Sequence, residues 1–186
     1  AQKIAGVVLA NIGSETVSIV VFENNIPISL KVFPIGANSI TNDIALGLKI
    51  PLDEAEQAKL GGITGADYSR KKLDEIVSAR LVDIFELIDS HLKEIEKNAL
   101  LPAGIVITGG GSGITTIEDL AKATLHLPSK VARVQFNNGN HIQDSSWAVA
   151  YGLCILGLST GDESPGIRIV KNTKKGLSSW FKQLLP

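Results

Sequence analysis

The stretch GVVLANIGSETVSIVVF, residues 6–22, contains two apolar runs separated by a short turn at Gly13. β-Branched residues dominate both runs, so each is predicted to be a strand, and the connection is short enough for a hairpin. A glycine turn after a strand is also a common phosphate cradle, because backbone N–H groups can approach an anion there. The stretch therefore predicts an antiparallel start to a sheet and a candidate phosphate site.

The next segments extend this start into an α/β fold. PISLKVFPIG (27–36) predicts a third strand after a tight turn at Asn24-Asn25, which completes a three-stranded meander. ANSITNDIALGLKI (37–50) has apolar residues at helical spacing behind possible caps at Asn38 or Ser39. LDEAEQAKL (52–60) predicts a short helix with acidic residues in its first turn, as the helix dipole favours.

The second half of the chain predicts helices on both faces of a mixed sheet. Residues 69–99 carry an apolar stripe from Leu73 to Ile95 and predict an amphipathic helix of roughly 28 residues. Residues 103–126 read as a buried strand, a glycine turn and a helix, and KVARVQF (130–136) as a further strand. SSWAVAYGLCILGL (145–158) is apolar nearly all round, which predicts a buried helix.

Composition excludes several classes of protein. A chain of 186 residues with 44% hydrophobic content can bury a core as one domain or as two small halves. The single cysteine, Cys154, rules out a disulfide framework and is expected to be a small core residue in a reducing compartment. No apolar run is long enough to span a membrane and no signal peptide is evident, so a soluble or surface-bound protein is expected.

The C-terminal end differs in charge from the rest. Residues 168–186 carry a net charge of +5 and no acidic residue, whereas the remainder carries −6. An apolar stripe runs through this tail at i, i+3, i+4, i+7 and i+8, with cationic residues mostly off the stripe. That pattern is typical of an in-plane membrane helix, although a terminal helix docked on the core is the alternative. The membrane candidates are Lys174, Lys175, Leu177, Trp180, Phe181, Leu184 and Leu185.

The order of elements and several longer motifs resemble one family. A meander, an acid-and-lysine helix, a long helix and a strand ending in TGGGS follow the second half of an actin-type (ribonuclease H-like) ATPase. IGANSITNDIALGLKIPLDEAEQAKL, SRKKLDEIVSARLVDIFELI, LPAGIVITGGGS and GLSSWFKQLLP resemble the FtsA family of bacterial cell-division proteins over nearly the whole chain. The resemblance implies an actin-like fold and a scaffold that ties FtsZ filaments to the cytoplasmic membrane.

The resemblance also implies a nucleotide site, which this chain alters. In the family the first turn straddles the β- and γ-phosphates of ATP, and an E-x-x-K helix and the later glycine turn contact ribose and adenine. The matching positions here are Asn11, Gly13, Ser14, Thr16, Glu56, Lys59, Gly109, Gly110, Gly111 and Ser112.

Three departures from the family's sequence pattern weaken the expected nucleotide site. Asn11 replaces an aspartate that organises Mg²⁺-bound water, while Ser14 and Glu15 replace glycines. An amide cannot replace a carboxylate toward Mg²⁺, and a Glu15 carboxylate would repel a triphosphate. We therefore expect weak or absent binding of ATP with Mg²⁺, no hydrolysis, no catalytic residue and no metal ligand.

The resemblance predicts a domain plan and partners. Residues 1–60 and 101–158 would form the core subdomain, 61–100 a trimmed outer helical subdomain, 159–173 a flexible linker and 174–186 the membrane helix. The family's first half is not in this chain. The FtsZ C-terminal peptide would bind the long helix beside an exposed apolar strip at Leu73 and Val77, through the cations Arg70, Lys71, Lys72 and Arg80. Self-association, contacts with other division proteins and a peripheral position at the division site are also implied, but no nucleic acid.

Two other functional classes with the same fold remain as alternative interpretations of the sequence. A pilus-assembly actin-like protein would also work at the inner membrane but generally lacks such a tail. Half of a sugar-kinase or polyphosphatase relative would need a carboxylate base in the cleft, where Asn11 stands instead.

Overall fold

The computed structural model describes residues 1–62, 68–132, 134–135, 141–142 and 145–159. The chain divides into two compact units, Ala1–Val149 and Ala150–Pro186. The predicted linker, 159–173, and the predicted membrane helix, 174–186, lie outside the described residues apart from Ser159.

A five-stranded mixed sheet forms the centre of the first unit. Its order is β3-β2-β1-β4-β5, in which β1, β2 and β3 are antiparallel and the β1–β4 and β4–β5 pairs are parallel. The predicted meander is therefore confirmed. Its second turn places Asn24 and Asn25 at φ 51° and 66°, a conformation that asparagine tolerates in a two-residue hairpin. The strands are β1 (Val7–Ile12), β2 (Val17–Glu23), β3 (Ile26–Phe33), β4 (Ile105–Thr108) and β5 (Ser129–Val131).

The strand predicted over 130–136 is wrong as a single element. The chain leaves the main sheet after β5, where the Ala132 N–H donates to the Ile107 carbonyl at 2.7 Å. A separate two-stranded sheet pairs β6 (Val134–Gln135) with β7 (His141–Ile142).

Six α-helices lie among the described residues. The helices predicted after the meander and at the acid-and-lysine segment are both confirmed, as α2 and α3. Short 3-10 turns occupy Gly110–Gly113 and Ser145–Trp147. The helices are α1 (Gln2–Ala5), α2 (Ala37–Leu48), α3 (Leu52–Lys59), α4 (Arg70–Glu94), α5 (Ile117–Leu125) and α6 (Ala148–Ser159).

Helix α4 runs through the middle of the core. It is 25 residues long, and its predicted stripe is buried, with Leu81, Ile84, Phe85 and Ile88 at most 1% exposed. These side chains belong to one apolar cluster with the inner faces of β1, β2 and β4. Its far end is tied to β3 by a hydrogen bond of 2.8 Å between the Ser29 hydroxyl and His91 Nε2.

The opposite sheet face is largely exposed among the described residues. Lys3 of α1 lies 4.7 Å above the Phe22 ring at one end, but Leu30 of β3 is 70% exposed and Val32 is 51% exposed. The helices that build the core therefore pack on one face.

Helix α6 forms as predicted, but the prediction that it is buried is wrong. Leu153, Leu156 and Leu158 are exposed, and so is Cys154, which was expected in the core. A helix that is apolar on all sides indicates that apolar groups surround it. The sequence pattern does not specify whether those groups belong to the same chain or to another molecule. No described helix combines the length and apolar character needed to cross a bilayer.

Candidate functional site

The two glycine turns meet because their strands are neighbours. β1 and β4 run parallel with Asn11 opposite Thr108. The turns that follow these two strands therefore lie side by side at the carboxyl ends of the strands. Gly109 has φ +92°, and a Cβ there would lie 2.7 Å from Asn11 Oδ1 and closer still to the Ile12 carbonyl. Only glycine satisfies this geometry.

Hydroxyl groups hold the second turn in place. The Ser112 hydroxyl donates to the Gly109 carbonyl at 2.7 Å and also hydrogen-bonds the Ser145 hydroxyl. The Thr108 hydroxyl donates to the Ser145 carbonyl at 3.0 Å. These buried bonds fix the turn against the 3-10 turn at Ser145–Trp147. The sequence interpretation missed Ser145, which follows the glycine turn by more than 30 residues.

The first turn caps α2 with its own carbonyls. The N–H groups of Ala37 and Asn38 donate to the carbonyls of Gly13 and Ser14, each at 2.9 Å. The helix begins after Gly36 with no side-chain cap, so the predicted caps at Asn38 and Ser39 are wrong. Asn38 instead donates its side-chain N–H to Glu15 Oε1 at 2.6 Å. The polar groups of the first turn are therefore bonded to the N-terminus of α2.

The E-x-x-K pair forms a compact network with α2. Lys59 Nζ lies 2.6 Å from Glu56 Oε2 and donates to Thr41 Oγ1 at 2.9 Å and to the Ala37 carbonyl at 3.4 Å. The Thr41 hydroxyl donates to Glu56 Oε2 at 2.6 Å. The Lys59 side chain is only 8% exposed, so this is a structural ion pair, whereas a solvated pair would leave the ammonium in water. Thr41, its third member, was not anticipated from the sequence.

The carboxyl group of Glu56 is held in its charged form. Burial raises its pKa, but hydrogen bonds from Lys59 and Thr41 and the charge of Lys59 lower it more, so the pKa lies below the ordinary 4.5. Glu56 is therefore a carboxylate near neutral pH, able to accept hydrogen bonds from a ligand.

These elements enclose a cleft of about 400 Å³ between α2, α3, α4 and the second glycine turn. Five of the predicted nucleotide residues line it. The cleft also takes in Arg70, Asp74 and Ser78 of α4, which the sequence did not place there. Among the predicted residues, Ser14, Glu56, Lys59, Gly110 and Gly111 line the cleft, and Asn11, Gly13, Thr16, Gly109 and Ser112 support its walls or lie beside it.

The first turn offers an amide at Asn11 in place of a carboxylate, and the first N–H groups of α2 beside it are already bonded. Asn11 presents an amide, and its Oδ1 lies against the backbone of Gly109. The first N–H groups of α2, which would bind an anion at a free helix N-terminus, are already bonded to Gly13 and Ser14. Hard cations such as Mg²⁺ are held through carboxylates and phosphate oxygens. No group of three or more potential metal ligands occurs among the described residues.

The predicted partner residues divide into two kinds. Arg70 and Lys71 lie in the exposed first turn of α4 and form loose i,i+4 pairs with Asp74 at 3.6 Å and Glu75 at 3.8 Å. Lys72 is exposed in the same turn. All three remain accessible cations.

Arg80 is engaged within the fold. Its Nε and Nη2 donate to the two carboxylate oxygens of Asp43 on α2 at 2.5 and 2.9 Å, and Nη1 lies 3.3 Å from Asp83. The hydrogen bonds that Arg80 donates to the Asp43 carboxylate raise the pKa of Arg80 above its ordinary value. Arg80 therefore joins α4 to α2, and its use by a partner would require part of this bidentate pair to open.

The apolar strip predicted beside these cations is not on the surface. Leu73 is 2% exposed and Val77 is 9% exposed, because both side chains turn toward the core and the cleft. The prediction of exposed peptide anchors at these two positions is wrong. A helix stripe specifies which side chains share a face but not whether that face is covered.

A double-mutant cycle tests the structural role of Arg80. The coupling energy between Arg80→Ala and Asp43→Ala is expected to be about 1 kcal/mol, because the pair is bidentate and both side chains are less than 30% exposed. Urea unfolding of the four proteins measures it.

The matched control is Lys71→Ala with Glu75→Ala, an exposed pair at 3.8 Å. Its coupling should stay below about 0.5 kcal/mol. Equal couplings in the two cycles would mean that Arg80 is not a structural link.

The comparison with known families decides the assignment. The family model described as "Cell division protein FtsA" matches residues 8–152. The chain belongs to the FtsA family. The match covers both glycine turns, the E-x-x-K helix and α4, which are the elements that build the cleft.

Curated FtsA proteins match most of the chain. The FtsA of Pseudomonas aeruginosa is 29% identical over 180 residues, covering 84% of this chain and 43% of that protein. The FtsA of Neisseria meningitidis is 31% identical over 179 residues, covering 82% and 42%. The chain thus spans less than half the length of these relatives.

Solved structures confirm the actin-like fold. The MreB5 of Spiroplasma citri bound to ADP superposes with a TM-score of 0.67 at 17% identity, covering 84% of this chain and 54% of that one. A chain of the PilM–PilN type IV pilus biogenesis complex gives 0.68 at 21% identity, covering 84% and 47%. At these identities the likeness concerns the fold alone, so the pilus reading gains no functional support.

Proposed function

We propose that this chain is part of a non-enzymatic cell-division scaffold that links FtsZ filaments to the cytoplasmic face of the bacterial membrane. The match to the FtsA family over residues 8–152 carries the proposal. The cleft then has a structural role, whether or not a nucleotide enters it, because its polar groups join α2, α3 and the first turn.

The amide of Asn11, where the family has an aspartate, supports a non-enzymatic role. A phosphotransferase or ATPase needs a base or a metal-organising acid near the transferred phosphoryl group. Asn11 and its contact with Gly109 leave an amide at that position. The Glu15 carboxylate is engaged by Asn38 on the exposed side of the turn.

The first turn of α4 is the proposed contact for the FtsZ C-terminal peptide. Arg70, Lys71 and Lys72 present three consecutive cations. The exposed carboxylates of Asp74 and Glu75 hold the first two only at 3.6 and 3.8 Å. An acidic peptide can replace such weak surface pairs at little cost. Arg80 would add a fourth contact only at the edge of this surface.

The C-terminal tail is the proposed membrane contact. Leu177, Trp180, Phe181, Leu184 and Leu185 share one side of the predicted helix, and Lys174 and Lys175 precede it. Aromatic and leucine side chains insert at the acyl boundary, while each lysine contributes on the order of 1 kcal/mol near an anionic leaflet.

Charge reversal at α4 tests the peptide contact. In fluorescence anisotropy with a labelled FtsZ C-terminal peptide, Lys71→Glu/Lys72→Glu is expected to weaken binding by roughly tenfold, because attraction becomes repulsion. Both side chains are exposed, so the fold should be retained.

The control is Lys93→Glu/Lys122→Glu, which makes the same change in net charge at the last turn of α4 and on α5. This variant should bind within about twofold of the unmodified chain. Equal weakening by both variants would reduce the effect to overall charge and contradict the assigned surface.

A further inference from the structure

The face of the main sheet that points away from α4 is apolar across four strands. Cross-strand partners share a face. Leu30 of β3 lies opposite Val20 of β2, and Val20 lies opposite Leu9 of β1. Leu9 in turn lies opposite Val106 of β4, and the next alternate positions on β2 and β3 add one apolar side chain each. The outer face, as it is called below, consists of Leu9, Val20, Phe22, Leu30, Val32 and Val106.

The residue pattern of the strands indicates a sheet that is covered on both faces. In an antiparallel sheet with one solvated face, inward apolar residues alternate with outward polar ones. The inward residues of β2 at positions 17, 19 and 21 are fully buried. The outward positions of the same strand hold Ser18, Val20 and Phe22, of which only the first is polar. Strands that are apolar on both sides are typical of sheets with two covered faces.

Much of the outer face is nevertheless exposed in the part of the chain that the structure describes. Leu30 is 70% exposed, Val32 is 51% exposed and Leu9 is 40% exposed, while the other three side chains are partly buried. Together they leave an apolar patch on the order of 400 Å², which is in the range of the largest patches on monomeric proteins, and such patches are often binding surfaces.

The size of this patch fits a contact between two copies of the chain. A two-fold contact buries the same patch on both copies, and apolar atoms make up a little over half of a typical interface. The total area buried would then be roughly 1,400 Å², and stable interfaces bury about 1,200 to 2,000 Å². The outer face is therefore large enough for a stable dimer.

The distribution of charge also favours an identical partner. A charged side chain near a two-fold axis would meet its own counterpart, but the described outer-face positions of β1 to β4 carry no charge. Lys130 of β5 continues the row about 19 Å from Leu30, at four strand spacings. Lys3 lies over the Phe22 ring at one end. The centre of the face thus offers no repulsion to a second copy and no opposite charge to an acidic or basic partner.

We propose that two copies of this chain associate through their outer faces, with Leu30 at the centre of a two-fold contact. The two sheets pack face to face, and the apolar patch of each copy covers that of the other. Helix α4 packs on the opposite face of the sheet, in the apolar core. The contact therefore uses none of the residues of the proposed FtsZ and membrane contacts.

Sedimentation velocity of the full chain over a range of concentrations tests the association. The unmodified chain is expected to sediment as a dimer. Leu30→Glu/Val32→Glu should weaken dimerisation by at least about tenfold, because four carboxylates would meet in an apolar contact. Both side chains are exposed, so the fold should be retained, which circular dichroism checks. Trp180→Glu/Phe181→Glu should dimerise like the unmodified chain, because the tail is not part of the contact.

The matched control is Leu46→Glu/Leu100→Glu, which makes the same kind of change at exposed leucines of α2 and of the segment before β4. This variant should dimerise within about twofold of the unmodified chain. A monomeric unmodified chain would assign the face to another partner and overturn the proposal. Equal weakening by the two leucine variants, or loss of the dimer in the tail variant, would overturn it as well.

Cross-linking locates the contact without adding charge. Cys154 is the single cysteine, so Cys154→Ser/Leu30→Cys carries one thiol, at the centre of the outer face. A short bis-maleimide should join two copies of this variant, whereas Cys154→Ser/Leu46→Cys, with its thiol on α2, should stay unlinked. Equal cross-linking of the two variants would contradict the assigned surface. Peptide and vesicle binding are measured in separate assays, so a failure of the dimer is distinguishable from a failure of the scaffold function.

Discussion

Replacing Gly109 by alanine is expected to lower the free energy of unfolding by about 3 kcal/mol. At φ +92° an alanine is strained, and its Cβ would collide with the Ile12 carbonyl and with Asn11 Oδ1. Both contacts belong to β1, at the centre of the sheet. The two turns would have to separate, which also disturbs the bonds from Ser112 and Ser145.

Gly113→Ala is the matched control, because a Cβ there meets nothing within 4 Å. Urea unfolding should show a change of less than about 1 kcal/mol for this variant. Equal losses for the two variants would show that glycine content, and not the contact between the turns, determines the cost.

Acidic substitution of the aromatic pair in the tail should have the largest functional effect. Trp180→Glu/Phe181→Glu is expected to weaken binding to anionic vesicles by at least about tenfold, since it removes two apolar side chains from the membrane boundary and adds negative charge. Vesicle flotation measures the bound fraction directly.

Ser179→Glu/Gln183→Glu makes the same change in charge off the apolar stripe of the predicted helix. It should retain most of the vesicle binding, apart from the loss due to charge alone. If the two variants float equally, the tail binds through charge only, and the amphipathic assignment fails.

The local pattern of the sequence was sufficient for most of the fold. Alternating β-branched residues and the Asn24-Asn25 turn predict the meander, and the stripe from Leu73 to Ile95 predicts α4, because these depend on neighbours close in the chain. The split of 130–136 into two strands was not foreseeable, because the first strand pairs with β4 and the second with β7, and both partners are chosen by tertiary structure.

The cleft was predicted only in part, for the same physical reason. Glu56, Lys59 and the glycine turn were expected at this site from the family resemblance, whereas Thr41, Ser145 and the cleft-facing residues of α4 join it through packing. Burial was harder still. Leu73 and Val77 were expected outside and lie inside, and α6 was expected inside and is exposed.

Recruitment of FtsZ to membranes is the most direct test of the scaffold. FtsZ filaments sediment on their own, so polymerised FtsZ should be mixed with anionic vesicles and the full chain and then separated by flotation. The account predicts that FtsZ floats with the vesicles only when the chain is present. It also predicts that Trp180→Glu/Phe181→Glu and Lys71→Glu/Lys72→Glu each reduce this fraction. FtsZ that stays unfloated while the chain itself floats would contradict the account.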